Sequence, residues 1–314
     1  MNAGAATVAA LLLAGMAGAQ TAAPPPVDDE LAEVVVTGRE RYYVAPTNRD
    51  GIGRVWVPVR INDKGPFRLV LDTGAARSAV SFRVASALAI PTDQSPPVLL
   101  RGVTGSAIAP TILVDSMSVG DLLVAPARLP LIADAFGGAE GLLGMDGMQD
   151  KRIFIDFRND FINISLSRNR RAAAGFETVP FQHNDLKLLV VNAQVGSLPL
   201  LAIIDTGAQS TLGNSALRDA LRRQVARNLK GEDSITGATG AVQTGIGARI
   251  SPISIGGIEI RDAHVTFGDM HIFETWKLND APALLIGMDI IGLFDTLVID
   301  NRRQELHIKP RRGP

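Results

Sequence analysis

Cysteine is absent from the 314-residue chain, so disulfides and a lipid-attachment cysteine are excluded, and an oxidising compartment is permitted without being exploited. An excess of either charge is missing too. Lys and Arg number 31 against 32 Asp and Glu, which argues against recruitment to nucleic acid or an anionic membrane by bulk charge. The four histidines, His183, His264, His271 and His307, are scattered with no i, i+4 pair, which speaks against a metal site. No Gly-x-Ser-x-Gly elbow occurs, so that serine-hydrolase arrangement fails as well. Tyrosine is confined to Tyr42 and Tyr43. Apolar residues, by contrast, make up 46% of the chain, enough for the cores of one two-lobed domain or two small ones.

The N-terminal region reads as processing and linker sequence. Ala3 to Ala19 is an Ala/Leu-rich run that ends in Ala17-Gly18-Ala19 before Gln20, the pattern of a signal-peptide h-region with a small-residue cleavage site, although Met1-Asn2-Ala3 carries no basic residue. Residues 1–19 are therefore expected to be a signal peptide, with export as the consequence and no stable membrane anchor once it is removed. Residues 20–50 hold a Pro/Asp-rich stalk, Ala22 to Glu30, and then Val34-Val35-Val36-Thr37-Gly38-Arg39. The latter looks like a TonB-box segment, but its plainer reading is a first strand completing a sheet between lobes with the C-terminal strand around Glu305 to Lys309.

One triplet occurs twice, as Asp72-Thr73-Gly74 and Asp205-Thr206-Gly207, each time after an apolar run and before an alanine, Ala75 or Ala208. Other landmarks repeat in the same order. Gly102-Val103-Thr104-Gly105 follows the first triplet and Gly237-Ala238-Thr239-Gly240 the second; then come the hairpin-like segments Met117 to Val124 and Ile253 to Ile260. Leu142-Leu143-Gly144-Met145-Asp146 is echoed by Leu285-Ile286-Gly287-Met288-Asp289, and each leads into a predicted strand, Ile153 to Ile164 and Thr296 to Ile308. Upstream, Val55 to Ile61 and Phe67 to Leu71 flank the turn Asn62-Asp63-Lys64-Gly65, and Leu188 to Val195 with Pro199 to Ile204 repeat that entrance. The chain is an internal duplication with a period of about 135 residues, too long for a solenoid unit and suited to a pair of small lobes. The fold class is all-β, with lobes at 51–166 and 176–311 joined by a polar linker at 167–175. One helix is predicted, Asn214 to Lys230, with Leu217, Leu221, Val225 and Leu229 on a stripe and its basic residues on a solvated face.

At these residues the sequence resembles the retropepsin-like aspartic peptidases found in bacteria, fused in tandem into a pepsin-like pseudodimer; the resemblance spans roughly 52–310. It implies two β-barrel lobes with the active site at their interface and an aspartic endopeptidase that needs no cofactor. By the same resemblance Asp72 and Asp205 are the catalytic dyad, and Thr73, Gly74, Thr206 and Gly207 support it together with Leu143, Gly144, Ile286 and Gly287. Gly102, Val103, Thr104 and Gly105, with Gly237, Ala238, Thr239 and Gly240, are then the tips of substrate-binding flaps. The implied partner is a polypeptide substrate, met by a monomer whose lobes pair within one chain, and the implied location of this exported protein is the bacterial periplasm or medium. The sequence departs from the pepsin pattern in two ways: no tyrosine lies in either flap, and Ala75 and Ala208 stand where pepsins carry a hydroxyl.

The chemistry follows from the residues as well. Two carboxylates held together cannot both ionise cheaply, so the pair keeps one proton over a wide pH range. One member then serves as base toward a water and the other as acid toward a carbonyl oxygen. Two other arrangements fit the same sequence. One is a catalytically silent peptide-binding or partner-recognition module, and the other is a dimer in which each lobe pairs with its counterpart in a second chain. Asp146, Asp289, Asp156 and Asp300 read as turn or strand-end residues. Specificity is expected to reside in the loops Ala125 to Glu140 and Asp262 to Ala283, the insertion Met270 to Asp280 with Trp276 closing one end of the cleft.

Overall fold

A computed structural model describes Ala45–Pro46, residues 53–133 and residues 138–311. The expected signal peptide, the Val34 to Arg39 segment and both tyrosines lie outside them. Alternating apolar residues build two large sheets whose strands follow one another in the same spatial order. In the first half that order is Ser95–Gly102, Gly105–Val114, Ala127–Ile132, Ala79–Ser81, Gly141–Leu143, Lys64–Leu71, Trp56–Ile61, Met117–Val119 and Leu122–Val124. In the second half it is Leu229–Thr236, Val242–Ile250, Ala263–Phe267, Leu212–Gly213, Ala283–Ile286, Leu198–Ile204, Leu189–Val195, Ile253–Ile255 and Ile258–Ile260. The duplication read from the motifs is therefore a duplication of topology over nine strands, to which the second half adds one more, Gln182–His183, beside Leu189–Val195.

A third sheet joins the halves. Its six strands run Ala45–Pro46, Phe161–Leu166, Lys151–Asp156, Phe294–Asp300, Glu305–Pro310 and Glu177–Pro180. The two central strands come from opposite halves and pair antiparallel, Ile153 opposite Ile299. The C-terminal strand does belong to this shared sheet, but its outer neighbour is Glu177–Pro180. The N-terminal strand described in the sheet is Ala45–Pro46, at the opposite edge.

Three local expectations are corrected. The strands after the Leu-Leu-Gly and Leu-Ile-Gly turns are each two strands, Lys151–Asp156 with Phe161–Leu166 and Phe294–Asp300 with Glu305–Pro310. Asp156 breaks the first run, its Oδ1 accepting the N–H groups of Arg158 and Asn159. The turn after Ile61 is only Asn62-Asp63, both with positive φ, 48° and 58°, as a two-residue type I′ hairpin requires. Finally, the single helix becomes two short ones, Ser215–Ala220 and Arg222–Arg227. Asn214 caps the first, its side chain accepting from Leu217 N–H at 2.9 Å. Leu217 and Val225 are buried, whereas Leu229 is 56% exposed and, with Lys230, already belongs to the strand Leu229–Thr236. Among the described residues no helix is long and apolar enough to cross a membrane.

Candidate active site

Two strands deliver the paired carboxyls. Lys64–Leu71 ends in the buried run Leu69, Val70 and Leu71 immediately before Asp72, and Leu198–Ile204 ends in Ala202, Ile203 and Ile204 before Asp205. Each run lies parallel to a short strand, Leu143 opposite Leu71 and Ile286 opposite Ile204. One further hydrogen bond anchors each aspartate: Asp72 N–H donates to Leu143 O at 2.9 Å and Asp205 N–H to Ile286 O at 3.0 Å. Backbone thus sets both positions, which suits a site that must hold its geometry closely.

The threonines lock the two turns to each other. Thr73 Oγ1 donates to Ile204 O at 2.6 Å and accepts from Thr206 N–H at 3.0 Å. Reciprocally, Thr206 Oγ1 donates to Leu71 O at 2.8 Å and accepts from Thr73 N–H at 3.2 Å. Both threonines are fully buried, so each hydroxyl has its partners inside the protein and none in water.

The carboxyls of Asp72 and Asp205 face each other across this lock, close enough that each bears on the other's ionisation. Asp72 Oδ1 accepts from Gly74 N–H at 2.9 Å; Asp205 Oδ1 accepts from Gly207 N–H at 2.8 Å and Ala208 N–H at 3.1 Å. A Cβ on Gly74 would fall on the Asp205 carboxyl, and one on Gly207 on the Asp72 carboxyl. Glycine is therefore needed at both positions for close approach. Burial, and next the charge of Asp205, holds the Asp72 carboxyl well above its ordinary range. Burial also raises Asp205, but its backbone N–H donors oppose the rise. The two carboxyls therefore titrate as one unit, within which the N–H donors of Gly207 and Ala208 favour the ionised form of Asp205.

A second pair of carboxyls braces the first. Ser78 Oγ donates to Asp146 Oδ1 at 2.7 Å and accepts from Gly144 N–H at 3.0 Å. In the other half Thr211 Oγ1 donates to Asp289 Oδ1 at 2.7 Å and accepts from Gly287 N–H at 3.2 Å. Asp146 and Asp289 read as simple turn residues in the sequence, but they reach back to fix the loop after each triplet. Burial raises both carboxyls, against the hydrogen bonds from Ser78 and Thr211. Ser78→Ala is expected to cost about 1–3 kcal/mol, because Gly144 N–H and Asp146 are left short of a partner inside the protein. Urea unfolding would measure it; a loss under about 0.5 kcal/mol, the level of a neutral surface change, would mean the brace is idle.

The carboxyls open into a cleft of about 680 Å³ lined from both halves. Its roof is two β-hairpins, Ser95–Gly102 with Gly105–Val114 and Leu229–Thr236 with Val242–Ile250. Their tips touch. A Cβ on Gly102 would stand 3.3 Å from Thr239 Cγ2, and Thr104 Oγ1 donates to Ala241 O at 2.7 Å. Gly102, Val103, Gly237 and Ala238 face the cleft, whereas Thr104, Gly105, Thr239 and Gly240 are not among its lining residues. The short helix His271–Thr275 of the predicted insertion binds the first tip: Ile272 N–H donates to Val103 O at 3.2 Å, and Ser106 Oγ lies 2.7 Å from His271 Nε2. Trp276 walls the cleft beside it. Of the two loops expected to set specificity, much is regular strand, Ala127–Ile132 and Ala263–Phe267.

The structure thus brings Asp72, Thr73, Gly74, Asp205, Thr206, Gly207, Leu143, Gly144, Ile286 and Gly287 into one constellation beneath the two tips. Sequence reasoning missed the bracing hydroxyls, although Ser78 and Thr211 each stand six residues after their aspartate. It also missed the arginines of the cleft wall, which no local pattern marks. Among the described residues no group of three or more His, Asp or Glu is placed to hold a metal ion.

A family model described as aspartyl protease matches the chain twice, over residues 57–146 and 191–290, together more than half of its length. Each match contains one triplet, one hairpin tip and one bracing aspartate. No curated protein matches the chain.

Proposed function

The chain belongs to the aspartyl protease family, and from that premise we propose that it is an aspartic endopeptidase whose Asp72 and Asp205 act as one catalytic pair. The observation that carries this reading is the reciprocal threonine lock, which holds two carboxyls face to face at the floor of a cleft. Asp205 takes a proton from a water as that water's oxygen bonds to the peptide carbonyl carbon. Asp72 gives its proton to the carbonyl oxygen, where charge would otherwise build. Collapse of the tetrahedral adduct breaks the C–N bond: the proton held by Asp205 passes to the leaving nitrogen while one hydroxyl of the adduct returns its proton to Asp72 as the C=O bond re-forms, which restores the starting pair. An extended polypeptide is the substrate, and the chain acts as a monomer, since one chain supplies both aspartates; the Ala3 to Ala19 run supports export.

The pH dependence follows with a definite sign. At high pH both carboxyls lose their protons and the acid is gone; at low pH both are protonated and the base is gone. Activity is therefore bell-shaped. With Asp72 raised by burial and by Asp205, and with Ala75 and Ala208 offering no hydroxyl to stabilise the ionised form, the maximum is expected at about pH 4 to 6. Hydrolysis of an unfolded protein measured from about pH 3 to 8 tests this. A maximum near pH 2 would overturn the pH assignment, and no cleavage by the folded chain at any pH would overturn the enzymatic reading itself.

A further inference from the structure

The charges around the cleft are unevenly placed. Among the described residues, every charged residue on its wall apart from Asp72 and Asp205 is an arginine: Arg54, Arg77, Arg101 and Arg128. All four come from the first half of a chain whose net charge is −1. Their counterparts in the second half are neutral or already engaged. Ser210 stands at the position of Arg77 and Thr236 at that of Arg101, and both line the cleft. At the position of Arg128, the second residue of the equivalent strand, stands His264, whose Nε2 lies 2.7 Å from Asp233 Oδ2.

Arg128 bears most directly on what the cleft takes. Its Nε is buried and has no hydrogen-bond partner among the described residues. Neither Arg128 nor Arg101 has an acidic partner among them. A buried guanidinium N–H without an acceptor is costly, and a planar guanidinium is suited to grip a carboxylate through paired hydrogen bonds.

Building on the endopeptidase reading, we propose that this cleft selects peptides carrying Asp or Glu side chains on the face turned toward Arg101 and Arg128. The opposite wall, with Leu186, Leu188, Ile235 and Trp276, takes apolar side chains. An extended peptide turns successive side chains to opposite sides. The preferred sequence therefore alternates, acidic residues two apart or singly placed, with apolar residues between them. The wall charge also offsets repulsion between such a substrate and the charged catalytic pair.

Binding and cleavage test the two layers separately. Asp72→Asn protein is titrated with a fluorescent decapeptide of alternating Glu and Leu and with its Gln counterpart, at pH 6, where the glutamates are ionised. The Glu peptide is expected to bind about tenfold more tightly. Arg101→Gln/Arg128→Gln in the same background should abolish most of that difference, and Arg101→Glu/Arg128→Glu should reverse it in favour of a Lys peptide. Equal affinities for the Glu and Gln peptides, with circular dichroism showing folded protein, would overturn the inference whether or not the chain hydrolyses anything. Cleavage by the unsubstituted chain with no acidic preference in its products would overturn it too, while leaving the endopeptidase reading intact. A Glu preference in binding without any cleavage would support the inference and count against turnover.

Discussion

Asparagine in place of either Asp72 or Asp205 is expected to lower hydrolysis of an unfolded protein by at least ~10³-fold. Each substitution deletes half of a pair that works only as base and acid together, so the two single variants should fall equally far and the double variant little further. The fold should survive. Asn Oδ1 can still accept the Gly74 or Gly207 N–H, and an amide has no ionisation to suppress. Both carboxyls bind their proton more tightly folded than unfolded. The unsubstituted protein therefore loses stability as pH rises through their raised pKa range, and the Asn variants escape that loss. Melting temperatures at neutral pH should be equal or higher in the variants. Retention of half the activity by Asp72→Asn would instead indicate sites formed between like lobes of two chains, with the Asp205 pair still working.

Gly74→Ala and Gly207→Ala should be nearly as damaging by a different route. The new methyl would occupy the space of the opposite carboxyl, and because the threonine lock fixes both turns, the carboxyl must yield. A displacement on the order of 1 Å at a reacting group lowers the rate about 10²-fold, and overpacking costs about 1–3 kcal/mol. Both losses should appear together, in kcat and in the melting temperature. Near-normal kcat in Gly207→Ala would mean the two turns are less tightly coupled than their hydrogen bonds imply.

How far the sequence could be read depended on whether a feature repeats. The triplets, tips and supporting turns each occur twice in order, and a repeated order constrains topology even where single motifs are weak. Features whose signal is a local period misled. The stripe Leu217, Leu221, Val225, Leu229 keeps helical spacing beyond the helices' end, because Leu229 falls on it while lying in a strand. Likewise Phe157, buried in the turn after Asp156, extends an alternating pattern across what is a hairpin. The arginine wall was illegible for a third reason. Arg101 and Arg128 come to one cleft wall only through the register of separate strands in a nine-stranded sheet, which no window of sequence contains.

The shared six-stranded sheet would also set the moment at which the proposed activity can begin. Arg152 and Asp300, partners at its centre through a 2.9 Å ion pair, are 148 residues apart in the chain. Contacts so distant form late, after the cost of closing a long loop. During synthesis the first half would emerge with one aspartate, half a roof and an unpaired central strand, incapable of the chemistry assigned to the pair. Competence for the proposed hydrolysis would then arrive only with the last strands, a built-in delay that would spare the nascent chain and its neighbours from premature cutting.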